Sequence, residues 1–230
     1  MIPKRRHGCN PRRWRSVERS MRPVLLMLLA STSIFAQPFS AGIKAGIPLT
    51  DFLNAAGNGS FDYTSPTQRY IIGGMAEVRL PLGLGIEFDA LYRRLSYTAS
   101  GTLVGGVVET TSTGGSNWEF PLVLKYRFHF PVVKPYLEAG VAWDALAGVK
   151  QTVDVIGTLP VSSTSGSPSE LLRNTTSGFV IGGGVDIHAV FLHISPEIRF
   201  TRWNSAQFGN SGGLLSSNLN QGEFLVGFTF

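Results

Sequence analysis

The chain of 230 residues contains a single cysteine, Cys9. It therefore has no internal disulfide and no cysteine-based metal site. Cys9 also precedes the apolar part of the leader, so it is not a lipoprotein anchor. Long hydrophobic runs are missing as well. The main apolar stretch, Val24 to Ala30 with Ile34 and Phe35 beyond it, falls short of the roughly 20 residues that a membrane-crossing helix needs. Any passage through a membrane must be made by strands. A basic stripe is the third absence. The formal charge is +5, but eight of the 20 basic residues, Lys4 through Arg22, and one of the 15 acids, Glu18, lie before Ala36. Twelve basic and fourteen acidic residues remain beyond that point, a net of −2. That balance argues against nucleic acid as a partner.

What is present begins with a leader. Arg22 supplies a positive start, Val24–Ala30 an apolar centre, and Ala36 a small residue suited to cleavage before Gln37. Residues 1–36 read as a cleaved signal peptide, and Met21 by itself opens a complete one, which makes it a candidate for the true start. Residues 37–230 are then a single exported domain.

Alternation fills that domain. Eight runs of strand period are expected, over 39–47, 70–80, 84–97, 117–128, 136–145, 177–188, 191–203 and 221–230. The connections alternate in length. Pro81–Gly83, His129–Lys134 and the residues around His188–Val190 are short. The four others are long and rich in Gly, Ser, Thr and Asn. An even strand number with short turns at one end and long polar loops at the other predicts an all-β fold. The expected form is an eight-stranded antiparallel up-and-down transmembrane β-barrel, with short periplasmic turns and long extracellular loops.

The register makes this specific to a membrane. One face of each run is apolar, as in Phe39, Ala41, Ile43, Ala45 and Ile47. The mid-strand charges collect on the other: Lys44, Glu77, Arg79, Glu87, Asp89, Arg93, Glu119, Lys125, Arg127, Glu138, Asp144, Asp186, Glu197, Arg199 and Glu223. A basic side chain turned into the hydrocarbon costs about 2–4 kcal/mol at the midplane. A one-residue slip would turn the whole set outward, so register is tightly specified. Arg94 and Arg202 are the outward exceptions, expected at the outer interface, where they can pair with lipopolysaccharide phosphates. Because eight strands leave room only for side chains, the lumen is expected to hold acid–base pairs rather than a pore. Pro121 and Pro196 lack a ladder donor and are expected to mark bulges, leaving local register open there.

The order of four segments resembles the outer-membrane protein β-barrel domain family of small eight-stranded bacterial barrels. They are Gly42-Ile43-Lys44-Ala45-Gly46, Leu80-Pro81-Leu82-Gly83-Leu84-Gly85-Ile86-Glu87, Trp118 to Tyr126 and Lys134 to Gly140. The closing strand 221–230, which ends on Phe230, adds to the likeness. The resemblance implies the bacterial outer membrane as location and contact with outer-membrane lipid and lipopolysaccharide. It also implies that Phe230 is read by the barrel assembly machinery. A monomer is expected.

No residue set declares a chemistry, and no catalytic, metal or cofactor site is assigned. The leading expectation is a non-enzymatic barrel serving envelope structure or surface binding through its long loops. One alternative is a lipid hydrolase similar to the eight-stranded lipid A deacylases, which carry His-x-Ser on one strand. His193 would then be the base and Ser195 the nucleophile, with Glu197 on the same face. A small diffusion channel is another. Gly182-Gly183-Gly184 precedes no helix and no Lys-Ser/Thr pair, so it is no phosphate loop. It is expected to let a neighbouring ring or backbone approach. His129, His188 and His193 are expected near the short-turn end.

Overall fold

The computed structural model describes residues 39–56, 61–65, 70–102, 108–130, 133–156, 161–189, 192–209 and 214–229. The expected signal peptide, with Cys9 and Met21, and the closing Phe230 lie outside the described residues. The strands, in chain order, are β1 (Phe39–Pro48), β2 (Leu53–Ala55), β3 (Phe61–Thr64), β4 (Ile71–Arg79), β5 (Leu84–Thr102) and β6 (Val108–Arg127). They continue with β7 (Val133–Ile156), β8 (Val161–Ser165), β9 (Thr175–Ala189), β10 (Leu192–Trp203), β11 (Leu215–Ser217) and β12 (Asn220–Thr229).

Eight of these make a closed antiparallel barrel in the order β1-β4-β5-β6-β7-β9-β10-β12, with β12 pairing back onto β1. Closure matters because lipid offers backbone groups no partner. A ring with no free edge satisfies the ladder internally. The side-chain period of two then separates the faces. Ile43, Ile72, Leu124, Leu137, Phe179, Ile181 and Ile198 are exposed on the outer wall. Lys44, Glu87, Asp89 and Arg199 are 0% exposed inside. This is the inverse of a water-soluble barrel, and it follows the expected register strand by strand.

The two prolines differ from expectation. Neither shifts the register. β5 and β6 keep one register from Leu84↔Tyr126 to Thr102↔Val108, with pairing interrupted only opposite Phe120 and Pro121. β9 and β10 likewise keep theirs across Ser195 and Pro196, where two pairs are missing. Each proline thus leaves a gap in one ladder, as a residue without an N–H must, and remains in register with its other neighbour. The bulge lies elsewhere, where β6 slips against β7 between Gly114 and Ser116.

The strands are also unequal. β5, β6 and β7 run 19, 20 and 24 residues, whereas β1 and β4 run 10 and 9. Crossing the hydrocarbon takes about 9–11 residues. The excess of β5–β7 therefore stands beyond the membrane at the long-loop end, widened by β3 on β5 and β8 on β7. Much of the expected long loops 98–116 and 151–176 is thus strand. In 98–102 and 108–116 these residues are mostly Ser, Thr and Gly, so little apolar alternation is there to be read, and in β7 it is confined to Val153 and Val155 between Thr152 and Asp154.

Over the same end lies a cap. β2 pairs with β11. Beneath this small sheet Leu53, Leu95, Tyr97, Leu146, Phe208 and Leu215 form a buried apolar cluster, with Phe52, Tyr63, Val149 and Leu171 packed against it. Phe208 meets both Phe52 and Tyr97 edge-on, at 6.5 and 5.7 Å between centroids.

Candidate functional site

The lumen is where the chemistry-bearing side chains converge. Its middle layer is built from inward positions of five strands, β1, β5, β6, β7 and β10. Lys44 on β1 directs its three N–H donors to Glu87 (2.7 Å), Asp89 (3.0 Å) and Glu197 (2.8 Å). Arg199 on β10 spreads its guanidinium over Glu138 (3.0 Å), Asp89 (2.9 Å) and Glu197 (2.9 Å). Lys125 on β6 contacts Glu87 at 2.8 Å, Glu197 at 3.2 Å and Glu138 at 3.3 Å. Below Lys125 lies the ring of Tyr136, 4.4 Å away, and the Tyr136 hydroxyl donates to Glu197 at 2.7 Å. Three cations and four carboxylates are thus interleaved with no solvent exposure beyond a few per cent. Removing one member of such a set strands its partners in low dielectric.

Glycine makes the room for this layer. A Cβ on Gly184 would lie 2.7 Å from the Tyr136 hydroxyl and collide with the Pro196 carbonyl, and one on Gly182 would run into Glu138. The glycine run of β9 therefore admits a neighbouring ring, as the sequence suggested, and also a carboxylate, which it did not.

Two further layers flank the middle one. Toward the long loops, Arg93 reaches Glu223 (3.1 Å), Gln221 (2.8 Å) and Asp144 (3.5 Å), and its guanidinium lies 4.9 Å from the ring centre of Phe52 in the cap. Gln207 of the cap donates to Asp144 at 2.8 Å. Toward the short turns, Arg127 bridges Glu77 and Asp186. The charges expected to face the lumen do so, and Arg79 alone among them is substantially exposed, its side chain at 36%.

The hydrolase constellation is placed differently from a relay. Ser195 donates to Asp186 at 2.6 Å. Glu197 is held by Lys44, Arg199, Lys125 and Tyr136. His193 stacks edge-on against His188 across the β9–β10 ladder, 4.3 Å between centroids. The serine's partner is thus a carboxylate already paired with Arg127, and the acid on the same face is consumed by cations. His129 lies on the separate turn after β6, beside Gly83. Glu87, Glu138 and Glu197 approach one another closely enough to hold a cation, their ligand atoms within 4.8 Å. Lys44, Lys125 and Arg199 already fill that role, so the set works as an ion-pair core.

Sequence reasoning missed the cap and the hollow that the Gly114/Ser116 bulge opens on the outer wall. The signal for the cap was a few large apolar residues set in polar loops, such as Phe52 and Leu53, Phe208, and Leu214 and Leu215.

No curated protein matches the chain. Among solved structures it is similar to the outer membrane protein OprG of Pseudomonas aeruginosa, at 12% identity over 83% of this chain and 92% of that one, TM-score 0.48. It is similar to Neisserial surface protein A at 15% identity, over 84% and 96%, TM-score 0.40. The N-terminal β-barrel domain of Pseudomonas aeruginosa OprF is similar at 15% identity, over 84% and 98%, TM-score 0.36. Residues 35–202 match the outer membrane protein beta-barrel domain family, which spans seven of the eight barrel strands. By that match, and with a closed barrel that is apolar outside and charged within, the chain belongs to the outer membrane protein beta-barrel domain family and resides in the bacterial outer membrane.

Proposed function

We propose that this protein is a sealed, non-enzymatic barrel whose work is done by its long-loop end, as a surface-binding or structural element of the envelope. The short turns face the periplasm in this reading and the tall β5–β7 wall stands outside the cell. The barrel acts as a monomer, delivered by the assembly machinery through its closing strand and Phe230. One observation carries the reading: the lumen is filled by ion pairs, and its long-loop mouth is roofed by the apolar cap. One pocket at the edge of the cap, lined by Phe52, Arg93, Arg94, Leu95 and Asn117 among others, is about 30 Å³, room for only about two waters. Side-chain filling of this kind is what an eight-strand circumference allows.

Planar-bilayer recording tests it. The expected record is flat, without discrete current steps, for the intact protein. Steps of uniform size would return the diffusion channel. The hydrolase has its own check: lipid A isolated from cells expressing wild type or Ser195→Ala should give the same acyl profile, because Ser195 is a partner of Asp186 rather than of a base.

A further inference from the structure

On the outer wall, just beyond the aromatic row that marks the hydrocarbon boundary, lies an open pocket of about 600 Å³. Trp118 and Tyr92 of that row are in ring contact at 5.2 Å, the arrangement expected where a wall passes from lipid to head groups. The pocket is lined by Arg94 and Lys150, the phenols Tyr70 and Tyr92, and the hydroxyls of Ser116 and Thr152, with no acid among its residues. Every fully buried cation of the lumen is paired. The side chains of Arg94 and Lys150 have no ion-pair or hydrogen-bond partner among the described residues. Arg202, the other outward arginine, is tied to Asn220.

The hollow is built by the bulge. Between Gly114 and Ser116 the register of β6 slips, so that Ser116 faces Ala147 and Gly114 faces Lys150. Gly148 takes φ +62 there, with nothing near its absent Cβ. Bulges bend a strand and re-aim side chains. This one turns Lys150 onto the face that Arg94 occupies. Below the pocket the wall continues apolar, through the stacked rings of Trp118, Phe120 and Phe88, each 6.3 Å from the next. Two unpaired cations and several hydroxyls above, with an aromatic wall below, match a molecule that is anionic at one end and apolar at the other.

We propose that this pocket binds the phosphorylated head group of an outer-leaflet glycolipid, with Arg94 and Lys150 on the phosphate and the acyl chains along Trp118, Phe120 and Phe88. The proposal rests on the reading that the long-loop end faces outward. Charge-assisted bonds to phosphate supply the selectivity.

The test uses protein extracted from outer membranes in uncharged detergent, with native mass spectrometry or tryptophan fluorescence as readout. Bisphosphorylated lipid A is expected to bind about tenfold more tightly than its dephosphorylated form, the size of one charge-assisted hydrogen bond. The double variant Arg94→Gln/Lys150→Gln should erase that preference, and Arg202→Gln should keep it. Equal affinity for the dephosphorylated lipid overturns the proposal, as does an equal loss in Arg202→Gln. Displacement of the lipid by inorganic phosphate at matching concentration would show a free-anion site and overturn it too. Both targets are exposed side chains, and heat-dependent gel mobility verifies the fold of each variant. Orientation is checked separately, by labelling cysteines placed in residues 98–102 on intact cells. A protected label would sink the outward reading while leaving the detergent result standing.

Discussion

The barrel and its cap are two cores of opposite polarity made from one chain. In the barrel the charges are inside and the apolar residues outside. In the cap Phe208 and Leu215 are inside, 0% exposed, while Asn54 of the small sheet is exposed and the buried Gln207 is hydrogen-bonded. The difference follows from the solvent each meets. Hydrocarbon draws apolar side chains outward and leaves charge no place but the lumen. Water beyond the membrane restores the ordinary hydrophobic effect within a few residues of Arg93. Arg93 joins the two cores, ion-paired on one side and set against the Phe52 ring on the other.

Perturbing one core at a time should separate them. The largest effect is expected from Lys44→Met, which leaves Glu87, Asp89 and Glu197 short of a shared cation. We expect a loss of about 3–5 kcal/mol, read as a lower urea midpoint for the whole barrel by heat-dependent gel mobility. Phe208→Ala should cost about 3 kcal/mol, but locally. Its signature is faster hydrogen exchange and proteolysis at residues 52–55 and 207–217, with the barrel's urea midpoint unchanged. A matched drop in both readouts would mean that the cores are one cooperative unit. Gly184→Val should displace the Tyr136 ring and its bond to Glu197, at about 1–3 kcal/mol for overpacking, again in the barrel alone. The smallest change is at the first tight turn, away from both cores. Leu82 is held at φ 67 and is exposed, a conformation costing about 1–2 kcal/mol for an ordinary residue. Leu82→Asn should recover up to about 1 kcal/mol, seen as a raised urea midpoint, because asparagine tolerates that region better.

The barrel was legible in the sequence, and the cap was not, for the same physical reason. Lipid penalises every outward charge, so Lys44, Glu87, Lys125 and Arg199 had to share a face, and a period of two ran through all eight strands. Above the membrane nothing enforces that period. Leu53-Asn54-Ala55 and Leu215-Ser216-Ser217 are too short to show one, and their pairing joins distant parts of the chain. The tall part of β6, with Thr111, Ser112 and Thr113, carries hydroxyls on both faces. Proline drew the expectation of a bulge to 121 and 196, yet each only lost its own ladder bonds. The actual bulge needed the flexible pair Gly114-Gly115, a weaker signal in a chain with 27 glycines. The lumen pairings were legible only as a class. That Ser195 would find Asp186 rather than His193 depends on which strands lie opposite, and alternation does not encode that.

The seam between β1 and β12 has a kinetic consequence. Gly42 pairs with Thr229 and Ile47 with Phe224, so the ladder that closes the ring joins the first barrel strand to the last. Lys44 on β1 also needs Glu197 from the far end of the sequence. Contacts this remote carry the full loop-closure entropy before they return anything. No half of the molecule can lock its charge layer early, and the strands already formed stay provisional until the seam zips. Assembly should therefore be slow and all-or-none, with an open, edge-bearing ribbon as the vulnerable intermediate.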